Sequence, residues 1–482
     1  MKKSILHFFF LLIPVLLFCQ IKPASPAWSS NKKAIAQSVE KHEKELVHLS
    51  DQVWAFAETA LRETQSAKVL ADYAEAQGFK VERGVAGMPT AFIASYGSGK
   101  PVIGILGEFD ALPGLSQKAI PTKEPLQEGA GGHGCGHNLF GAGSLGAAVA
   151  IKELIAAGKL KGTIRFYGTP AEEDVGGKVY MVREGLFNDV DVCLDWHPGD
   201  LTEASVQSSQ AMVSHIIEFK GKAAHAAYDP WNGRSALDAA ELCMHGLNLL
   251  REHVKPTVRI HYVLTDGGDV PNVVPDHAKI WLWVRDSRRD GVEEVWTRVE
   301  DIIAGSAQMA GVEVKTTLDA GSWEYLVNRR GATALQTNLD LLGDIVYSPE
   351  EADFGKKIQV ATGIEPTGMD AKIRPLRETM RDPEGGSTDV ADVSWVTPEI
   401  SLIVATAPSK APWHSWAVVA CGGMSIGHKG MLYAAKGLGM TMVDLFENEA
   451  LIGEIRSEFK QRKGDTVYKA LLPEGPPPVP KK

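Results

Sequence analysis

Residues 141–167 read GAGSLGAAVAIKELIAAGKLKGTIRFY. The first part, 141–157, is apolar and alanine-rich and is closed by Gly158, as suits a helix packed on a sheet. After it, 162–167 is a short, largely apolar run, the signature of a buried strand. Runs of the same kind stand at 90–96, 101–108 and 190–196, each bounded by glycine, proline or charge. Strand and helix alternate, so this part of the chain is predicted to be an α/β domain with a mostly parallel central sheet. Ahead of it, 41–49 and 53–63 space their apolar residues as helices do.

Near residue 207 the character changes. Runs 213–219, 222–227 and 277–285 read as strands, while 235–253 reads as one amphipathic helix whose Leu237, Ala240, Met244 and Leu247 share a face. A second helix is expected over 293–310. The order strand, helix, strands, helix, strand suggests a small ferredoxin-like α+β sandwich inserted at 207–322. The larger domain is then built from both 27–206 and 323–464, the latter with a strand at 401–406 and a long helix at 428–446. Residues 465–482, which end in a proline-rich run, are expected to form an extended, exposed tail.

The composition suits such an architecture: 482 residues are enough for two or three domains, and 44% hydrophobic and 23% charged residues are ordinary for a folded soluble chain. Wholesale disorder, collagen-like repeats and a multi-span membrane protein are excluded. With 50 basic against 60 acidic residues and a net charge of −10, no polyanion-binding surface is expected, hence no nucleic acid. Residues 1–20, Met1-Lys2-Lys3 followed by a brief apolar run, read as a secretory signal too short for a membrane span, which needs about 20 apolar residues. Its removal takes away two lysines and no acid, so the charge becomes −12. Export to the periplasm or beyond is expected; a lipid anchor at Cys19 is disfavoured by the bulky Leu17-Phe18 before it. The remaining cysteines, Cys135, Cys193, Cys243 and Cys421, lie far apart and do not read as a disulfide scaffold.

Chemistry concentrates at strand ends. Gly132-His133-Gly134-Cys135-Gly136-His137-Asn138 places a thiol and an imidazole, one glycine apart, in a turn between strand and helix. Glycines around Cys135 let the backbone fold closely enough for Cys135 and His137 to reach one cation. Alone, the motif reads equally as a glycine-rich turn with a buried thiol. Gly168-Thr169-Pro170-Ala171-Glu172-Glu173-Asp174 then sets adjacent carboxylates at the carboxyl end of a buried strand, the edge where open α/β sheets bind ligands. Adjacent side chains diverge, so one carboxylate suits a metal and its neighbour a general base. His197 ends the apolar run 190–196, and His414 follows the strand at 401–406. Four loops carrying metal-ligand residue types point to one site.

These blocks, with 107–117, 223–240, 271–274, 387–395 and 425–431, resemble the amidohydrolase branch of the co-catalytic metallopeptidases, which includes aminoacylases, bacterial glutamate carboxypeptidases and auxin-conjugate hydrolases. The resemblance covers essentially the whole chain after the signal. It implies a zinc-peptidase-like α/β fold interrupted by a ferredoxin-like dimerisation (lid) domain. It also implies two divalent ions, zinc or manganese, on Cys135, His137, Glu173, His197 and His414, with Glu172 as general base. His225, in the inserted domain, matches a histidine that supports the tetrahedral intermediate in the neighbouring subunit's active site, so a homodimer is implied; a homologous second subunit is also open. Where many relatives have a His-x-Asp ligand pair this chain has Glu108-Phe109-Asp110, and Asp110 is read as orienting a ligand. His133 is left outside the ligand set.

The implied reaction is hydrolysis of the amide of an N-acyl amino acid, an aromatic acyl-glutamate first, with a metallo-dipeptidase or aminopeptidase as the alternative. An acidic protein needs a local clamp for an acidic substrate; Asn272, Arg285 and Arg329 are the candidates, Arg285 reading equally as half of a surface ion pair. Asp389, Asp392 and His428 read as supporting or packing groups. A non-catalytic metal module and thiol redox chemistry at Cys135 are the readings from other classes; neither gives Glu172 a task.

Overall fold

The computed structural model describes residues 28–379 and 386–480. The signal reading of 1–20 and Cys19 lie outside the described residues. Among the described residues eleven strands run in chain order: β1 Lys80–Arg83, β2 Phe92–Ser98, β3 Val102–Glu108, β4 Gly162–Thr169, β5 Val192–Gly199, β6 Glu203–Ala204, β7 Ala211–Lys220, β8 Arg259–Asp266, β9 His277–Asp286, β10 Glu313–Ser322 and β11 Glu399–Ala405.

Seven of them form one sheet in the order β1-β2-β4-β3-β5-β11-β6. Its centre, β4-β3-β5-β11, is parallel, and the pairings at both edges are antiparallel. The central strands are buried along nearly their whole length, which explains their apolar runs: a parallel strand covered on both faces has no solvent side to alternate with. The predicted helix is there as His137–Ala156, buried against β3, β4 and β5 and against the long helix Ser425–Glu447. It is long and apolar enough to cross a membrane, yet it is the core helix of this sheet. Gly141 lets it approach: a Cβ there would lie 2.7 Å from the carbonyl oxygen of Glu108.

The other four strands form an antiparallel sheet in the order β10-β7-β9-β8, with the helices Ala236–Leu250 and Arg289–Ala310 packed on one face. This is the ferredoxin-like order. Along β9, Ala278, Ile280, Leu282 and Val284 are buried in the core with the helices, so by the period of two Trp283 and Arg285 take the other face.

Three expectations are corrected. Residues 222–227 form no strand; the segment touches others only at isolated bridges, Lys222 with Arg234 and His225 with Val273, because the chain turns where His225 Nδ1 accepts from the backbone N–H groups of Ala227 and Tyr228. The helix expected over 53–63 ends at Phe56, after which Ala57 and Leu61 take left-handed backbone conformations. The tail from 465 is extended but not exposed throughout: Leu471 is buried in the core of the inserted unit, the Tyr468 ring packs tilted against Trp323, and the Trp323 indole donates to the Lys469 carbonyl.

Candidate active site

The carboxyl ends of β3, β4, β5 and β11 lie side by side, and each delivers a side chain to one place. Glu108 closes β3, Glu172 and Glu173 follow β4, His197 lies near the end of β5 and His414 stands in the loop after β11. Cys135 and His137 come from the turn between β3 and its helix, where Gly136 holds φ at 81°. The backbone N–H of His414 donates to the Gly134 carbonyl at 3.0 Å, pinning the two loops together. Ala171 and His414, neither a glycine, both sit in the left-handed region, at φ 61° and 54°. Strain of about 1–3 kcal/mol at such positions persists only where the surroundings enforce it; at Ala171 the buried Glu63 carboxylate accepts its N–H at 3.0 Å.

Three sets of ligand-type atoms gather here, each within 4.8 Å: Cys135, His137 and His197; Cys135, Glu173 and His414; and Glu108, His137 and Glu172. The first two share Cys135, and the first and third share His137. The imidazoles of buried His137 and half-buried His197 both have their other nitrogen fixed. His137 Nδ1 donates to Asp110, 3.0 Å from Oδ1, and His197 Nδ1 donates to the Pro198 carbonyl at 2.7 Å. That turns each Nε2 toward the cluster, the arrangement metal-binding histidines adopt. His197 Nε2 is 3.4 Å from Cys135 Sγ. His137 Nε2, 3.0 Å from Glu108 Oε2 but not hydrogen-bonded to it, and Glu173 Oε1 are both buried, which fits a cation in their midst.

Electrostatics point the same way. Burial pushes the Cys135 thiol up to about 12, against the pull of His137, so a thiolate there needs a cation. Burial, helped by the nearby His137 and opposed by Glu108, brings His197 to about 4, so it is neutral at neutral pH. Glu172 is raised well above the carboxylate range by burial and then by Glu108, Glu173 and Asp389, and Glu173 is pushed to about 7 by burial before all else. Glu108, Asp110, Glu172, Glu173 and Asp389 crowd together with a single buried lysine, Lys178, among them. Divalent ions would relieve that excess.

Two cavities meet at this cluster, and Glu172, Glu173, Ser387, Thr388 and His414 line both. The first, of about 470 Å³, opens toward the inserted sheet and is walled there by Met212, Trp283, Arg285 and Ser322. The Arg285 guanidinium lies 5.0 Å above the Trp283 ring, its Nε has no partner, and among the described residues no carboxylate pairs with it. The second, of about 610 Å³, has Asp195, Tyr325, Ser401 and Trp413 in its wall.

Of the residues singled out in the sequence, Cys135, His137, Glu172, Glu173, His197, His414 and Arg285 thus come together. His225 and Asn272 do not: they are exposed neighbours on the inserted unit, where the Asn272 carbonyl accepts from Ala226, and they line neither cavity. Arg329 is corrected as a site residue. It opens the helix Arg329–Leu342 beside Glu458, in a separate surface depression, because the chain leaving β10 runs back along the larger domain. His133 is buried and bonds the Val53 carbonyl. Asp392 bonds Tyr468, and His428 bonds Asp51. Glu108 and Lys178 were missed; a charge ending an otherwise apolar strand, and a lysine after two glycines, were the available signals.

The model of peptidase family M20/M25/M40 matches residues 104–369. A subunit of the p-aminobenzoyl-glutamate hydrolase of Escherichia coli (strain K12) is 38% identical over 93% of this chain and 98% of its own length. The Xaa-Arg dipeptidase of Mus musculus is 28% identical over 91% and 96%. Among solved structures, the Bacillus subtilis YXEP protein, a dinuclear metal binding peptidase of the M20 family, superposes with a TM-score of 0.57 at 19% identity, covering 85% of this chain and 99% of that one.

Proposed function

The chain belongs to peptidase family M20/M25/M40, and on that premise we propose that it is a divalent-metal-dependent amidohydrolase of N-acyl amino acids, with aromatic acyl-glutamates such as p-aminobenzoyl-glutamate as the first substrates to try. One observation carries the proposal: a carboxylate pair, a thiol and three imidazoles converge between two cavities, one of which holds an unpaired arginine.

Cys135, His137, Glu173, His197 and His414 would hold two cations. These would supply Lewis acidity for the amide carbonyl and lower the pKa of a water. The thiol and imidazoles suit zinc, and the carboxylate admits manganese. Glu172, beside the ligands and open to both cavities, is placed to take the proton from the attacking water and return it to the leaving amine nitrogen. Arg285 is suited to a substrate carboxylate, since a half-buried guanidinium that rests on Trp283 and has no carboxylate partner among the described residues favours an anion. The amide then lies at the wall the cavities share, with its amino-acid half toward Arg285.

We extend the proposal to a second copy of the chain. His225 stands exposed, away from its own cluster, and the edge strand β8 is exposed along most of its length, with Val263 and Leu264 outward; both fit an interface through the inserted unit. The Escherichia coli relative is, by its name, one subunit of a hydrolase, which supports a homologous second subunit as a further partner. Export rests on the reading of residues 1–20.

The test is a panel of acyl-glutamates, acyl-aspartates and free-amine dipeptides against metal-reconstituted protein, with release of the amino acid measured. Acyl-glutamate turnover is expected, lost on chelation and reduced about 10²–10⁴-fold by Glu172→Gln. Turnover of free-amine dipeptides alone would replace the substrate class with that of a metallo-dipeptidase. An intact protein that binds no divalent ion would overturn the proposal.

A further inference from the structure

Lys178 is fully buried, yet it is a cation set among carboxylates. Its Nζ lies 2.6 Å from Glu108 Oε1 and 2.6 Å from Asp389 Oδ1, and its backbone N–H donates to Asp389 Oδ2 at 2.8 Å. The two acids come from the two segments of the larger domain, on either side of the inserted unit. Glu108 closes β3, and its second oxygen, Oε2, faces His137 Nε2 at 3.0 Å. Asp389 follows Ser387 and Thr388, the segment that walls both cavities. Glu172 stands beside Glu108, with an oxygen within 4.8 Å of Glu108 and His137. No other lysine or arginine among the described residues pairs with Glu108 or Asp389.

We propose that Lys178 is a positioning residue for the amide hydrolysis put forward above: its ammonium holds Glu108 against His137 and Asp389 against the shared cavity wall, and so fixes the setting of Glu172 and of the cation that His137 would bind. The inference rests on the hydrolase reading for its catalytic consequence and on geometry alone for its consequence for metal binding. Two short bonds from one ammonium fix both side chains: Asp389 has a further bond from the Lys178 backbone N–H, whereas the ammonium is the one hydrogen-bond donor to the Glu108 carboxylate among the described residues. Without them Glu108 is free to swing onto the position that His137 would share with Cys135 and His197. Groups of this kind behind a metal ligand typically govern metal affinity and rate about 10–100-fold.

A purely structural role for this buried ion-pair network is the competing explanation, and it makes a different prediction. Lys178→Met alone leaves two buried carboxylates without a counter-charge and is expected to destabilise the fold. Lys178→Met with Asp389→Asn keeps the net charge of the cluster and is expected to fold. In that double variant, per folded molecule measured by near-ultraviolet circular dichroism, kcat should stay about 10–100-fold below wild type with KM little changed. Co(II), titrated as a visible-spectrum probe, should bind about 10–100-fold more weakly. Recovery of wild-type Co(II) affinity and kcat together with stability would overturn the proposal. Should that variant not fold, Lys178→Met with Glu108→Gln gives the same comparison, and full recovery there counts equally against it. If the wild type binds Co(II) but cleaves no acyl amino acid, the hydrolase reading fails while the Co(II) comparison still decides what Lys178 does.

Discussion

His215 illustrates how one residue couples fold and solvent. It lies in β7 of the inserted unit, buried and stacked on Trp296 with ring centroids 3.7 Å apart. Burial first, and then the charge of Arg289, bring its pKa from 6.5 down to about 4. The unfolded chain therefore takes up a proton at a pH where the folded protein stays neutral. This stabilising contribution is complete above pH 6.5 and is lost as pH falls from there toward 4. Urea unfolding followed by tryptophan fluorescence should show about 3 kcal/mol more loss between pH 7 and 4 in the wild type than in His215→Phe. Parallel curves would remove the residue from the acid response. The same scale shows where sequence stops informing: that Cys135 and His137 sit one glycine apart is written in the chain, whereas the Nδ1 contact of His137 with Asp110, which frees its Nε2, exists only once β3 and the following turn are folded.

At the level of elements, the approach of the helix His137–Ala156 to β3 sets the positions of the proposed metal ligands Cys135 and His137. Gly141 leaves no room for a side chain, since a Cβ there would meet the Glu108 carbonyl at 2.7 Å. Gly141→Val is expected to push the helix outward, costing about 1–3 kcal/mol of stability. Because His137 opens that helix, the variant should also retain less divalent metal after dialysis, measured by plasma mass spectrometry; unchanged metal content would show that the turn and helix move independently. Elements with a strong period were legible: the buried parallel strands as apolar runs, β9 and its helices as amphipathic stretches. Residues 222–227 misled because a short apolar run has the same composition in a strand and in a turn, and the hydrogen bonds to His225 Nδ1 decide between them. The tail misled because its prolines and charges hide Tyr468 and Leu471, which pack on the inserted unit.

For the whole molecule, the central question is whether one chain makes a complete site. His225 is exposed and outside both cavities, so its proposed role requires a second copy. Glu172→Gln and His225→Ala should each be nearly inactive alone. Unfolded together and refolded as a mixture, half the dimers would carry one intact composite site of two, so about a quarter of wild-type activity should return. Failure of any recovery, with dimers present by light scattering, would remove His225 from the site. The unpaired Arg285 makes a further prediction on this scale, because it reaches the cluster from the inserted unit. Arg285→Met should raise KM for an acyl-glutamate about 10–100-fold, and do so much less for the corresponding amide of an uncharged amino acid.

By itself the sequence determined the α/β core, the inserted ferredoxin-like unit and the residue types of a metal-dependent hydrolase, because periodicity and ligand chemistry are local properties that survive in one dimension. Only the tertiary structure decided which of the named residues meet. Arg285 and Arg329 look alike in the chain, yet one faces the cluster across a cavity and the other lies beside Glu458 at a distant helix start. Lys178 carries no motif at all. Its significance arises from the burial that brings Glu108 and Asp389, 281 positions apart in the chain, to either side of one ammonium group. Burial and long-range charge pairing depend on how the strands stack, and neither is a property of any short stretch of sequence.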